Sequence, residues 1–173
     1  MTKSVLLSSV TLVLFAGPVA AEMNFYRIAS FPVTTNFEGD APKETSAEII
    51  DVTDDGMTLV YTASPAGVIG AIDISDPTNP QPLGVMEMDG EPTAVSVIGS
   101  TAFVGINTSE SYTAPSGMIK AIDVTTMTEL TRCDLGGQPD STDKAPDGSF
   151  IAVAIENERD EDLGDGRVPQ MPA

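Results

Sequence analysis

The run Glu156-Asn157-Glu158-Arg159-Asp160-Glu161-Asp162-Leu163-Gly164-Asp165-Gly166 holds six carboxylates in eleven residues against one arginine. Hard cations such as calcium take roughly six to eight oxygen ligands, mostly carboxylates and carbonyls, from a backbone able to fold round them. Gly164 and Gly166 supply that freedom. Glu156, Glu158, Asp160, Asp162 and Asp165 are therefore the expected calcium ligands, in a loop whose spacing is not that of an EF-hand. The alternative is a solvated acidic loop, which is what most charge runs are. Three more carboxylates, Glu48, Asp140 and Asp143, stand near the starts of strand-like segments. Asp51, Asp73 and Asp123 read instead as turn and edge residues.

The chain has no histidine, which removes Ser-His-Asp hydrolysis, cysteine–histidine catalysis and the commonest zinc ligands. Cys133 is the single cysteine, so no internal disulfide exists; its strand-like setting, Thr128–Leu135, predicts a small buried thiol. Ser141-Thr142-Asp143-Lys144 fits an S-x-x-K pattern, but in a strand rather than at the helix start that such enzymes use. Asn107-Thr108-Ser109 fits a glycosylation sequon.

These residues sit on repeated elements. Ala71-Ile72-Asp73-Ile74-Ser75 returns at 121–125 as Ala-Ile-Asp-Val-Thr, and Asp55-Gly56 returns as Asp147-Gly148, two steps of 46 residues later. A repeat of about 40 to 50 residues, filled with short strands and turns, predicts an all-β chain built as a β-propeller with four-stranded antiparallel blades. The first unit runs through Ala47–Val52, Met57–Ala63, Val68–Ile74 and Leu83–Met88. The second runs through Thr93–Ile98, Thr101–Asn107, Met118–Val124 and Thr128–Leu135. A third begins at Pro139 with a strand weakened by Thr142 and Lys144, followed by Phe150–Ile155. Two and a half units fall short of the roughly four to eight that close a propeller, so the expectation is the front part of a longer one. Such a part, alone, is expected to expose strand edges and to lack a sharp unfolding transition. Asn24–Phe31 is expected to form a further strand. A β-sandwich is the competing arrangement, disfavoured because its strands need not resemble one another at a fixed distance. Glu48 and Asp140 stand 92 residues apart, which predicts equivalent places facing the channel.

Residues 1–21 read as a secretory leader: Lys3, an uncharged apolar run from Val5 to Phe15, then Gly17-Pro18 and Val19-Ala20-Ala21 before the cut. The run is too short for a membrane span. The mature part, 22–173, is one domain destined for the periplasm or the outside. Losing Lys3 takes its formal charge from −18 to −19. Such a surface repels nucleic acid and anionic membranes and favours divalent cations as partners.

Gly70-Ala71-Ile72-Asp73-Ile74-Ser75-Asp76-Pro77-Thr78-Asn79-Pro80 resembles the repeat of secreted LVIVD-type and YVTN-type bacterial propellers. Ser46–Ile50, Tyr61–Gly67 and Ile155–Asp162 resemble the family called esterase-like activity of phytase, with the choice-of-anchor I family as the near alternative. The resemblance implies calcium held around a central channel, with Glu48, Asp140 and Asp143 added to the candidate metal ligands, and metal-assisted hydrolysis of a phosphate ester or ester. A metal can polarise a phosphoryl oxygen and activate water where no histidine is present. The other expectation is a non-catalytic propeller that binds a partner at the cell surface or in the periplasm.

Overall fold

The computed structural model describes residues 24–40, 42 and 44–158. The leader, residues 1–21, and the expected calcium ligands Asp160, Asp162 and Asp165 lie outside them. Strands β1 (Ile50–Val52), β2 (Thr58–Ala63), β3 (Val68–Asp73) and β4 (Gln81–Glu87) form the first sheet. Strands β5 (Glu91–Ile98), β6 (Thr101–Asn107), β7 (Gly117–Asp123) and β8 (Thr128–Asp134) form the second. A third contains β9 (Pro139–Lys144) and β10 (Ile151–Ile155). Within each sheet every strand pairs antiparallel with the next in sequence, so no strand crosses between sheets as a sandwich would require. The chain is all-β, its described helical turns being 3-10 turns at Val33–Asn36 and Ser64–Ala66, and the sheets are not closed on themselves.

The hairpins form where turn chemistry demands them. Gly56 and Gly148 both adopt left-handed backbone, φ 71° and 68°, which glycine enters without steric cost. Asp55 Oδ1 accepts from the Thr53 hydroxyl at 2.6 Å and the Met57 N–H at 2.9 Å, while Asp147 Oδ1 does the same for Ser149. At the far ends of β3 and β7, Asp73 accepts the Ser75 N–H and Asp123 the Thr125 N–H, both at 2.8 Å. These last two are the turn residues expected.

The core lies between the first two sheets. Val60, Ile69 and Ala71 face Val95, Val97, Val104, Ile106 and Ile122, all buried. Each Val or Ile side chain so enclosed contributes about 1.5–3 kcal/mol relative to exposure. On the opposite face of the first sheet, Tyr61 lies across Gly70, its register partner, and any Cβ at position 70 would overlap the phenol ring. That face is covered by Phe31, Val33 and Phe37. Between them Asn36 is 3% exposed; its amide donates to Tyr61 Oη and Ala71 O and accepts the Gly84 N–H.

A 46-residue step also links the first strands of successive sheets, β1, β5 and β9. Asp51 Oδ2 accepts the Val97 N–H at 2.7 Å, Ser96 Oγ lies 2.9 Å from Thr142 Oγ1, and the Thr93 hydroxyl donates to Pro139 O at 2.6 Å. Lys144 Nζ completes the link, 3.1 Å from Asp51 Oδ2 and 2.7 Å from Val97 O. Thr142 and Lys144, which were expected to weaken β9, instead tie it to β5. Asp51 lies on the edge strand β1, as expected of it, and is also a joint to β5 and β9.

Two expectations are overturned. Asn24–Phe31 forms no strand: Phe25, Tyr26 and Ile28 are 92%, 79% and 64% exposed, and an isolated extended segment has no ladder to satisfy its backbone. Cys133 is exposed, because β8 is the edge strand of its sheet, with no strand paired beyond it among the described residues.

A candidate binding groove at one end of the sheets

The starts of β5 and β9 and the ends of β6 and β10 meet at one end of the molecule. There, both β5 and β9 carry a bulge. Pro92 pairs with Ile106 and Ala94 with Gly105, leaving Thr93 without a partner residue; Pro139 pairs with Ile155 and Ser141 with Ala154, leaving Asp140 without one. Bulges re-aim side chains and concentrate beside functional sites. Thr93 and Asp140 both line a groove of about 270 Å³ with Glu91, Gln138, Glu156 and Glu158.

An adjoining hollow of about 380 Å³ shares Asn107, Gln138 and Glu158 and is walled by Ser109–Tyr112. This wall belongs to the connection between β6 and β7, far longer than the Ser64–Ala66 turn at the same place in the first sheet. The connection is held by its own hydroxyls: Ser109 Oγ accepts the Ser116 N–H at 2.9 Å, and Thr108 Oγ1 lies 2.9 Å from Ser116 Oγ. An isolated bridge joins Ser111 to Ala114, and Tyr112 is half-exposed.

Gln138 organises the floor. Its side chain is buried, its backbone N–H donates to Asn157 Oδ1 at 3.0 Å, and its carbonyl accepts the Glu156 N–H at 3.0 Å. Its Oε1 accepts the Glu158 N–H at 2.6 Å and its Nε2 donates to Glu158 Oε2 at 3.3 Å. The start of the acidic run is therefore fastened by one residue, the one that immediately precedes β9.

Of the sequence candidates, Asp140, Glu156 and Glu158 come together here. Glu48 does not line the groove; its carboxylate meets Ser64 Oγ, which also lies 2.7 Å from Pro92 O. Asp143 is exposed, accepts the Lys144 N–H, and by strand alternation faces away from Thr142 and Lys144. Among the described residues no three Asp, Glu or Cys side chains converge closely enough to hold a metal ion, so the described carboxylates do not by themselves make a calcium site.

Residues 48–170 match the family described as Choice-of-anchor I domain. The chain belongs to the choice-of-anchor I domain family. Its fold is similar to that of a solved structure titled Kuenenia stuttgartiensis Hydrazine Synthase, at TM-score 0.55 and 19% identity, over 69% of this chain and 31% of that one. That likeness concerns fold alone, and the chain spans about a third of the length of that neighbour. No curated protein matches the chain. The family match takes in β1 through β10 and thus the whole groove. Among the described residues no helix is long and apolar enough to cross a membrane.

Gln138 and the Thr108–Ser116 wall were not singled out from sequence. The wall had a visible signal, since the middle loop of the second unit is longer than that of the first.

Proposed function

We propose that this choice-of-anchor I chain is part of a secreted β-propeller that acts as a binding scaffold at the cell surface or in the periplasm, without catalysis. The three sheets are blades of it, with β1, β5 and β9 innermost. One observation carries the reading: two bulged inner strands, the long Thr108–Ser116 connection and the amide-clamped Glu156–Glu158 segment open on the same groove. In repeat folds, insertions in one repeat gather on the binding face.

Calcium is the ligand proposed for the acidic run, with Glu156 and Glu158 inside the groove and Asp160, Asp162 and Asp165 beyond the described residues. The second reading, metal-assisted ester or phosphoester hydrolysis, is favoured by the arrival of Asp140, Glu156 and Glu158 in one groove. One experiment separates the two. Calcium titration calorimetry and p-nitrophenyl phosphate and ester turnover are run on the same samples, wild type and Asp160→Asn/Asp162→Asn. The scaffold reading expects calcium heats that shrink in the variant and no turnover at any calcium level. Turnover that needs calcium and stops in chelator would replace it with the hydrolase reading, and equal heats would return the run to a solvated loop.

A further inference from the structure

A charged cluster between the first two sheets takes no part in the groove. Lys120 stands midway along β7 with its side chain only 3% exposed, where the repeat Gly-Ala-Ile-Asp of β3 has Gly70. Its Nζ lies 2.8 Å from Asp89 Oδ2 and 3.2 Å from Glu129 Oε2. Arg132, directly opposite Lys120 on β8, donates to the same two carboxylates at 3.0 Å and 2.6 Å. Asp89 belongs to Met88-Asp89-Gly90, the covalent link from the first sheet to the second. That link sits hard against β6: a Cβ at position 90 would overlap Asn107 O. The next residue, Glu91, lines the groove, as Asn107 does. Across from Lys120 on β6 is the apolar Val104, and Met86 and Met88 pack into the same core. Glu87, Glu91 and Asp134 are exposed and make no ion pair with the cluster among the described residues.

We propose that Asp89, Lys120, Glu129 and Arg132 form an acid-released latch on the link between the first two sheets, holding Glu91 and Asn107 in place at the groove. The inference does not depend on what the groove binds. Lys120 makes the device sensitive, because a buried ammonium is tolerated only while paired. When Asp89 and Glu129 take up protons, Lys120 loses both counter-charges. The link must then move outward and let water reach Nζ. A hydrogen bond from Lys120 holds the Asp89 carboxyl below its ordinary value of 3.8, and one from Arg132 holds that of Glu129 below 4.5. Lowered carboxyls stabilise the fold above their unfolded values and stop doing so as pH falls through the folded ones. Release therefore belongs to strongly acid conditions, from those ordinary values downward.

Hydrogen-exchange protection, corrected for intrinsic rates, tests this on the full chain between pH 7 and pH 3. The Met88 amide, bonded to Gly67 O, reports the link, and an amide at the centre of the β2–β3 pair serves as reference. In the wild type, Met88 should lose at least about tenfold more protection than the reference on acidification. Lys120→Met removes the buried charge and should abolish that difference. Should Lys120→Met fail to fold, Asp89→Asn/Glu129→Gln supplies the neutral state directly and should show the loss already at pH 7. An acid loss at Met88 equal in wild type and Lys120→Met, or wild-type protection in the double variant at pH 7, would overturn the latch.

Discussion

At Asp51, burial and hydrogen bonding act in opposite directions on one carboxyl. Burial pushes it up, but the Val97 and Val52 N–H groups and the Lys144 ammonium outweigh this and hold it below its ordinary 3.8. A lowered carboxyl contributes stability above its unfolded value and loses it as pH falls through the folded one. Asp51→Asn should therefore lower the melting temperature at pH 7 and flatten its fall below pH 3.8, as read by melting curves across pH. Gln138 is the other residue on which neighbours depend. Truncating it to alanine leaves the Glu158 N–H without its partner, while the backbone bonds of residue 138 to Glu156 and Asn157 remain. The expected loss is about 1–3 kcal/mol in urea denaturation, without a change in the slope. Neither role is legible from sequence, since Asp51 sits in an ordinary strand-end setting and Gln138 in a loop. Their partners are 46 and 20 residues away. Lys120 is different: it replaces Gly70 in an otherwise matching repeat, and a lysine entering a core position announces a counter-charge.

The strands themselves could be read from the sequence almost throughout, because short apolar runs alternate with Gly, Pro, Asp and Asn clusters at a repeating distance. The reading failed where local pattern was not matched by a neighbour. Asn24–Phe31 alternates like a strand but meets no edge to pair with, whereas β9 looks poor locally and forms because Thr142 and Lys144 find Ser96, Asp51 and Val97. Gly70 belongs to this scale too, since it lets Tyr61 of β2 lie across β3 and lets Asn36 cap the pair. Gly70→Ala should displace the phenol and cost about 1–3 kcal/mol as overpacking does. The near-ultraviolet circular dichroism of Tyr61 should change with it, and an unaltered tyrosine signal and stability would disprove the packing argument.

For the whole molecule, the proposed binding end is the one where β5 and β9 begin and β6 and β10 finish. The opposite end carries the hairpin turns and the Asp73 and Asp123 turns, whose carboxylates are already engaged by backbone N–H groups. The most direct measurement immobilises three forms of the chain and records retention of soluble cell-envelope components by surface plasmon resonance. These are the wild type, a groove variant, Asp140→Asn/Glu158→Gln, and a control at the far end, Asp73→Asn/Asp123→Asn. All three are first matched for folding by circular dichroism. The account predicts retention by the wild type and the far-end control, with at least about a tenfold loss in the groove variant. Retention unchanged in the groove variant, or lost only in the far-end one, would contradict it.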